Sequence, residues 1–353
     1  MVCAVGPSGR SSVDMNTRVL EYLRCPECGG ALNLAEETAG PEVESGELGC
    51  GGCGRRYPVV RGIPRLLPDE LTLEKLRTAS AFGWEWQEFD SLHDDPETYH
   101  QQFLDWVHPI EPGFFRGKVV LDGGCGMGRF AAAAAEFGAR DVLAIDLSDA
   151  VEAAHRNTRH LPNVHVIQAD IYRLPFARPV DFAFSIGVLH HLPDPEGGFR
   201  SLVTHLKPGG SVFAWVYGRE NNGWIVHLVN PMRERIFSRL PRKALYALSL
   251  AATVMLHPVL KLLYLPANRF PSERLLSKLL PYNGYLGWLA QFGFRHNHHV
   301  IFDHLVAPTA FYITRDEFRA WFGKASLSEP RISWRNQNSW RGWAVLEHAD
   351  SRA

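Results

Sequence analysis

Alternating apolar and polar segments between residues 118 and 217 predict a regular succession of strands and helices. Five short runs rich in Val, Ile, Leu and Phe predict strands at 118–122, 141–146, 163–168, 180–187 and 211–217. The pattern between them predicts helices at 129–137, 150–159 (with Ser148 as N-cap) and 195–206, and a turn at 207–210. Strands separated by helices of this length favour a parallel α/β sheet with helices on both faces.

The segments on either side of this core are predicted to be largely helical. Residues 82–89, within a linker at 69–117, place aromatic groups at helical intervals of three and four. After the core, Thr314 and Glu317 form a capping-box pattern, and apolar runs at 327–334 and 340–348 predict a hairpin within a closing segment, 311–353. An insertion at 218–310 follows the fifth strand, so we expect it to cap the substrate end of the sheet.

Two stretches of this insertion allow more than one interpretation. Residues 244–256 are nearly uncharged, but a membrane span needs roughly 20 apolar residues, and His257, Pro258 and Lys261 interrupt the run. We therefore expect a buried or lid helix, with contact to a membrane surface as the alternative. The run Arg-His-Asn-His-His at 295–299 is either a metal cluster or a solvated polar loop, of which the loop is preferred.

Composition narrows the functional class. The 353 residues have room for one large and one small domain, and the net charge of −1 lacks the basic excess typical of nucleic-acid binding. Residues 1–17 have no continuous apolar core and are rich in Gly, Ser and Pro, which predicts a disordered leader and no secretory signal. This favours a cytoplasmic location.

Four of the six cysteines form two C-x-x-C pairs, Cys25–Cys28 and Cys50–Cys53. In a chain without a secretion signal this spacing favours a metal over disulfides, with free thiols as the alternative. Four thiolates can close a tetrahedral zinc site, which leaves no open position for catalysis and is therefore structural. Residues 57–68 resemble the tail of the zinc-ribbon family that includes the small activator subunit of tRNA and protein methyltransferases. We expect a zinc ribbon at 18–68 that holds the amino-terminal arm or contacts a partner.

A glycine-rich turn links the first core strand to its helix. Its glycines are Gly124, Gly126 and Gly128, with Asp122 two residues before the first. A dinucleotide fingerprint would place its third glycine at position 129, which is Arg. The D-x-G-x-G-x-G pattern resembles class I S-adenosylmethionine (SAM) methyltransferases, specifically over 118–217 and loosely over 311–348. The resemblance implies SAM as cofactor and a Rossmann-like, doubly wound sheet of seven strands with a terminal antiparallel hairpin.

The order of acidic residues along the strands supports a SAM site. Asp122 and the turn can take the ammonium and carboxylate of an amino-acid moiety, Asp146 the ribose hydroxyls, and Asp170 the adenine amino group, with Ile171 packing on the ring. Each acid alone has an alternative as an N-cap or turn residue. The full set of predicted cofactor residues is Asp122, Gly124, Cys125, Gly126, Gly128, Asp146, Leu147, Asp170, Ile171 and Ser185. In this enzyme class a helix before the first strand often covers the SAM site, so the 69–117 arm is a candidate lid, with core packing as the alternative.

Methyl transfer needs mainly proximity and alignment, and a general base only if the acceptor must lose a proton. The base candidates are His190 and His191, for which a structural role is the leading alternative, and His304, which Asp303 could orient. The substrate candidates are Tyr217, Asp303, Arg335 and Asn338, the last two because a parallel sixth strand would carry them to the active site. A polar hairpin turn is the alternative for Arg335 and Asn338.

We therefore interpret the chain as a SAM-dependent methyltransferase with an oxygen or nitrogen acceptor on a small molecule. An RNA methyltransferase is one alternative, because ribosomal RNA guanine methyltransferases also join a four-ligand zinc module to this fold. A lyase or cyclase that uses SAM without methyl transfer is a second alternative. A non-enzymatic binding subunit is the third, and the intact cofactor motif argues against it. The acceptor and the oligomeric state are left open.

Overall fold

The computed structural model describes residues 15–34, 42–89, 96–270 and 274–347. The amino-terminal part is a small β-structure with a 3₁₀ helix, Thr17–Glu21, near its start. Its strands are β1 (Met15–Asn16), β2 (Leu32–Leu34), β3 (Glu42–Val43), β4 (Gly46–Cys50), β5 (Arg56–Val60) and β6 (Ile63–Leu66). The prediction of a disordered leader at 1–17 is wrong for Met15 and Asn16, because these residues form β1, which pairs with β3. Residues 1–14 lie outside the described residues.

Two helices and the alternating core follow. The helices of the linker are α1 (Leu73–Glu88) and α2 (Pro96–Val107). The core then runs β7 (Val119–Gly123), α3 (Arg129–Glu136), β8 (Asp141–Asp146), α4 (Ala150–Thr158), β9 (Val164–Ala169), β10 (Val180–Ile186), α5 (Pro195–Thr204) and β11 (Leu206–Tyr217). Each strand and helix that the apolar pattern predicts here is present.

The last third of the chain is the helical insertion and the closing hairpin. The insertion contains α6 (Asn230–Arg235), α7 (Arg242–Val259), α8 (Leu265–Arg269), α9 (Arg274–Leu279), α10 (Asn283–Leu289) and α11 (Phe294–Val306). The chain then closes with α12 (Arg315–Lys324), β12 (Arg331–Arg335) and β13 (Ser339–Val345). Thr314 and Glu317 form the predicted capping box at the start of α12, each side chain bonding to the other residue's backbone N–H.

Eleven of the described strands form one continuous sheet in the order β12-β13-β11-β10-β7-β8-β9-β6-β5-β4-β2, and β1 and β3 form a separate two-stranded sheet. The first seven are the expected methyltransferase sheet, in which β13 alone runs antiparallel to its neighbours. This arrangement confirms the predicted fold class, including the terminal hairpin. The strand order reverses between β7 and β10, and ligands in open α/β sheets bind at the carboxyl ends of the strands near that point.

The ribbon is not a separate module but an extension of the same sheet. β6 pairs in parallel with β9, with Leu66 opposite Ala169. The Tyr22 hydroxyl donates a 2.6 Å hydrogen bond to Asp141, which lies fully buried at the start of β8. Leu23 and Leu66 belong to the same buried apolar cluster as Ile167. Because apolar surface is buried between the ribbon and the core, we expect the two parts to stabilise each other in the folded state.

Three local predictions need correction. Residues 207–210, predicted as a turn, lie within β11 as an irregularity in its pairing with β10. The N-cap of α4 is Asp149 instead of Ser148, although the Ser148 hydroxyl accepts the Ala150 N–H at 3.1 Å. Residues 295–299, predicted as a solvated loop, lie in α11, because a buried face of this helix packs against α7.

The helix around residue 258 continues where the sequence predicts a break. Pro258 lies inside α7, and a π-helical turn, Leu260–Tyr264, connects α7 directly to α8. A π-helical turn contains one extra residue, which lets a helix continue past a proline that cannot donate a backbone hydrogen bond. The result is a 28-residue helix, Arg242–Arg269, which by length and composition alone could cross a membrane; within the described residues it is the one such helix.

Candidate active site

The glycine turn between β7 and α3 forms one wall of a large cavity. Gly124, Gly126 and Gly128 have φ values of +88°, +53° and +82°, which side chains with a Cβ rarely adopt. A Cβ on Gly124 would lie 2.3 Å from Val188 Cγ2, and one on Gly126 would lie 3.0 Å from the Trp86 ring. The turn therefore needs glycine both for its conformation and for close approach to its neighbours.

Asp122 lies behind this turn and not on the cavity wall. It is 2 % exposed, and its Oδ2 atom has no hydrogen-bond partner. Burial, together with the nearby Asp146, raises the pKa of Asp122 well above its usual value. A buried carboxyl oxygen without a partner beside a glycine cradle fits a cationic ligand group. Its assigned contact with the SAM ammonium stays a prediction.

Asp146 ends β8 and already fixes the glycine turn. Its Oδ2 atom accepts the Gly126 N–H at 3.0 Å, and its Oδ1 atom accepts the Ser148 backbone N–H at 2.8 Å and hydroxyl at 2.7 Å. Leu147, like Cys125, lies on the cavity wall. The position agrees with the predicted ribose contact, which nothing in the structure tests.

Asp170 has a partner that the sequence did not suggest. Its Oδ2 atom accepts a 2.6 Å hydrogen bond from Lys75 of α1, and its Oδ1 atom accepts the Tyr172 N–H at 3.0 Å. Ile171 lies on the cavity wall beside it. Ser185, in contrast, is fully buried outside the wall and donates to the Gly123 carbonyl oxygen at 2.7 Å. Ser185 therefore supports the strand edge under the glycine turn.

The cavity continues from the glycine turn into the insertion. The empty space between its walls, mouth included, is about 1760 Å³. Residues of the glycine turn and residues of the insertion line the same cavity, so a cofactor at the turn and an acceptor beside it would share one site. Its far part is lined mainly by aromatic side chains, namely Phe82, Trp86, Trp106, Trp215, Tyr217, Tyr282, Tyr285, Trp288 and Tyr312.

Two pairs of polar groups lie within these aromatic walls. The Tyr217 hydroxyl donates to Asp303 Oδ2 at 3.2 Å, and burial with the nearby Glu85 raises the pKa of Asp303 to about 7. The Tyr285 hydroxyl and His304 Nε2 are 2.9 Å apart, and burial lowers the pKa of His304 to about 4. Asp303 thus does not orient His304, contrary to the prediction, because adjacent residues of a helix point in different directions.

The two histidines after β10 have different surroundings. His191 lines the cavity and its Nδ1–H donates to the Thr309 carbonyl oxygen at 2.7 Å, while burial lowers its pKa to about 3. His190 lies behind the wall, with its ring tilted by 37° against that of Tyr217 and the ring centres 3.9 Å apart, and neither of its ring nitrogens has a hydrogen-bond partner. His190 has no route to an acceptor in this arrangement.

The hairpin carries Arg335 and Asn338 to the cavity, as a sixth strand parallel to the core strands predicts. Arg335 pairs with Asp105, and its guanidinium lies 4.2 Å above the Trp106 ring centre. Asn338 donates from Nδ2 to the Tyr282 hydroxyl at 3.3 Å. Both side chains are buried although Asn338 lies in the hairpin turn itself, and their contact with a substrate stays a prediction.

Four charged or titratable side chains at or beside the cavity, Glu85, Arg129, His296 and His299, were not predicted as site residues from the sequence. Glu85 of α1 is fully buried and accepts a 2.9 Å hydrogen bond from His299 Nε2. Arg129, at the start of α3, donates to Gln102 at 3.5 Å and lines the cavity. The spacing of His296 and His299 places them on one face of α11 with the predicted residue Asp303, and this periodicity would have revealed the two histidines had the segment been interpreted as a helix.

The four cysteines of the amino-terminal ribbon, Cys25, Cys28, Cys50 and Cys53, lie close together in the structure. Their Sγ atoms all lie within 4.8 Å of one another, with Cys25–Cys53 at 3.7 Å and Cys28–Cys50 at 3.4 Å. A tetrahedron with Zn–S bonds of about 2.3 Å separates its sulfur atoms by about 3.8 Å. The thiols are therefore arranged for zinc, and they are too far apart for disulfides.

Comparison with known proteins agrees with this geometry. Residues 121–214 match the model of the methyltransferase domain family, and residues 16–62 match that of the Trm112p-like proteins. The ubiquinone biosynthesis O-methyltransferase of Albidiferax ferrireducens is 31 % identical over 180 residues, which are 49 % of this chain and 68 % of that protein. The enzyme of the same description from Acinetobacter baylyi is 29 % identical, over 49 % and 72 %.

The chain belongs to the family of class I SAM-dependent methyltransferases that includes these O-methyltransferases, and it carries a Trm112p-like zinc ribbon at its amino end. SAM is its cofactor, and zinc is held by the ribbon. Among solved structures, magnesium protoporphyrin IX methyltransferase from Synechocystis PCC 6803 with bound SAH is similar with a TM-score of 0.45 and 16 % identity, over 78 % of this chain and 100 % of that chain. A likeness at this level carries no information on the acceptor.

Proposed function

We propose that this enzyme transfers the methyl group of SAM to a hydroxyl group of a small, partly apolar molecule with a planar ring. The observation that carries the proposal is the aromatic far part of the cavity, which contains a single carboxyl group with a pKa near neutrality, Asp303. Aromatic walls favour a planar acceptor, since rings bury large areas and stack on one another. The relatives described as O-methyltransferases support an oxygen acceptor.

The residues around the glycine turn would hold the cofactor. SAM supplies an electrophilic methyl group on a sulfonium centre. Asp122, whose unpartnered oxygen lies behind the glycine turn, would attract the ammonium group from there, and Asp146 would face the ribose. Lys75 already occupies one oxygen of Asp170, so an adenine amino group at that position would share the carboxylate with Lys75.

Asp303 is the group that we propose to take the acceptor proton. Among the base candidates, His191 and His304 are held almost entirely neutral by burial and have low proton affinity, with pKa values of about 3 and about 4. Asp303, with a pKa of about 7, is near the optimum for a base at neutral pH. Asp303 would accept the proton of the acceptor hydroxyl, whose oxygen would form the new bond to the methyl group that SAM supplies in exchange for the bond to its sulfur.

The direct test is to incubate the zinc-loaded enzyme with SAM and a panel of phenols, catechols, aliphatic alcohols, amines and total tRNA. We expect S-adenosylhomocysteine and a phenolic product that is one methylene heavier by mass spectrometry. Methylation confined to the amines or to tRNA would contradict the proposal. Conversion of SAM to methylthioadenosine without a methylated product would instead establish lyase or cyclase chemistry.

Asp122→Asn should weaken SAM binding strongly. Loss of one charge from a buried pair typically costs about 2–5 kcal/mol, which corresponds to a Kd increase of roughly 30-fold to several thousand-fold. Because burial raises the pKa of Asp122, we also expect SAM affinity of the unsubstituted enzyme to increase with pH as this carboxyl loses its proton. Isothermal titration calorimetry at several pH values measures both effects.

A matched control for this variant is Asp181→Asn. Asp181 is another sheet carboxylate, but it pairs with Lys207 and does not line the cavity. We expect its SAM affinity to equal that of the unsubstituted enzyme. Equal affinity of Asp122→Asn and Asp181→Asn would remove Asp122 from the cofactor site.

A further inference from the structure

The long helix of the insertion, 242–269, buries hydroxyl side chains as well as apolar ones such as Leu245 and Leu260. Of the three buried residues in α7, two are hydroxyl residues, Ser249 and Thr253. Ser249 Oγ lies 2.9 Å from His298 Nε2 of α11, and His257 Nδ1 lies 3.0 Å from the Asn297 amide nitrogen. The helix thus meets α11 through hydrogen bonds as well as through apolar contacts, such as that of Leu245 within the cluster of Phe302 and Val306.

The outside of the same helix is apolar. Met255 is 72 % exposed, Leu262 is 80 % exposed and Val254 is 57 % exposed. Of the 20 large apolar side chains that are exposed in the described residues, 14 fall between positions 224 and 279. Isolated exposed apolar residues are ordinary, but such a concentration marks an interaction site. We call the exposed apolar residues of this segment the outer face.

The outer face lies in a strongly basic segment. Residues 224–279 contain nine Lys and Arg residues and only two Glu residues, whereas the whole chain has a net charge of −1. Arg239 and Lys243 come just before or at the start of the long helix, and Arg269 ends it. Apolar residues flanked by cations fit a surface that offers both hydrocarbon and negative charge.

We propose that the outer face binds the surface of a membrane that contains anionic lipids. Anionic headgroups would pair with the flanking cations, and the exposed Met, Leu and Val side chains would enter the hydrocarbon boundary. A second copy of this chain fits less well, because two basic faces of the same sign would repel each other. Nucleic acid fits less well too, since its phosphates leave apolar side chains without a partner.

The neighbouring helix argues for a helix that lies on the membrane rather than across it. α11 packs against α7 and presents His299, Asp303 and His304 to the cavity. A span would draw these titratable residues into the hydrocarbon, at a cost of several kcal/mol for each charge. Contact from the surface keeps the catalytic cavity in water and places it one helix away from the lipid.

The test is flotation of the full-length, zinc-loaded protein with vesicles of phosphatidylcholine alone or with phosphatidylglycerol added. We expect binding to the anionic vesicles only, weakened as salt rises from about 0.1 M to about 0.5 M. The double variant Met255→Asp, Leu262→Asp should lower the bound fraction roughly tenfold or more, because it places two charges in the hydrocarbon boundary. Neither Met255 nor Leu262 lines the cavity, so the SAM affinity of the double variant should be unchanged. This measurement checks that the variant is folded.

The control is Leu73→Asp, a leucine that is 63 % exposed at the start of α1, outside the outer face. We expect it to bind anionic vesicles like the unsubstituted protein. Equal flotation of the double variant and the control would overturn the proposal. Membrane binding that resists extraction with alkaline carbonate would also overturn it, because it would indicate a transmembrane span. Two further results would contradict it: a dimer that the double variant dissociates, without binding to vesicles, and binding to tRNA without binding to vesicles. The assay contains no acceptor, so its outcome is independent of the proposed methyl transfer.

Discussion

Replacing Asp303 by Asn lowers kcat of methyl transfer by roughly 10²- to 10⁴-fold, the range that a positioned general base contributes. The amide keeps the size of the side chain and an oxygen that accepts the Tyr217 hydroxyl, but it cannot take a proton. KM for the acceptor and SAM affinity should change little. Steady-state kinetics with the acceptor identified by the panel measures the loss.

The pH profile distinguishes this role from a purely structural one. A base acts in its deprotonated form, so kcat/KM of the unsubstituted enzyme should rise with pH and level off above about 7, the pKa of Asp303. Asp303→Asn should remove this limb. Tyr217→Phe should move the limb to higher pH, because the Tyr217 hydrogen bond stabilises the carboxylate and lowers its pKa.

A matched control is provided by the next residue along α11. His304→Gln removes a titratable group that also lines the cavity, while leaving Asp303 and Tyr217 in place. We expect its profile to keep the limb near pH 7, because the low pKa of His304 places its own titration far below. If His304→Gln loses the limb and Asp303→Asn retains it, His304 is the base and our assignment is wrong.

Replacing Cys25 by Ser removes zinc from the ribbon and unfolds the amino-terminal strands. Zinc binding contributes about 10–16 kcal/mol of apparent folding free energy in zinc-finger peptides, and three ligands cannot close the tetrahedron. Because β6 pairs with β9 and Tyr22 bonds to Asp141, we expect the melting temperature of the whole protein to fall. Elemental analysis and scanning fluorimetry measure the two effects.

Cys125→Ser is the matched control for zinc content. Cys125 is a buried thiol in the glycine turn and is not a member of the ribbon cluster. It should retain about one zinc per chain. Full zinc retention in Cys25→Ser would refute the four-cysteine site, and an unchanged melting temperature after zinc loss would show that the ribbon and the core unfold separately.

Local patterns accounted for the parts of the molecule whose signals lie within a few residues. A short segment is enough to indicate a backbone conformation in the glycine turn at 124–128 and in the Thr314–Glu317 capping box. The same holds for the ligand set indicated by the two C-x-x-C pairs. Strand and helix periodicity gave the order of the core, because parallel sheets bury their strands on both faces. Such features depend little on what the rest of the chain does.

The acid–base groups of the cavity could be located only with the helices in place. Asp303 and His304 are neighbours in sequence, yet the helix turns them to different tyrosines, Tyr217 and Tyr285. Glu85 and His299 are hydrogen-bonded although more than two hundred residues separate them in the sequence, and no local sequence pattern predicts that pair. The near-neutral pKa of Asp303 is a consequence of burial, which is a property of the assembled cavity.

By itself, the sequence determined the fold class, the glycine turn and the four cysteines that cluster in the ribbon, because backbone conformation, periodicity and residue spacing are encoded locally. The tertiary structure decided that the ribbon extends the core sheet through β6 and β9, and that the helix at 242–269 continues past Pro258 and forms a hydrogen bond to α11 through Ser249. It also decided which titratable side chains share the cavity. These outcomes depend on which surfaces bury one another, and that is settled by the packing of distant segments.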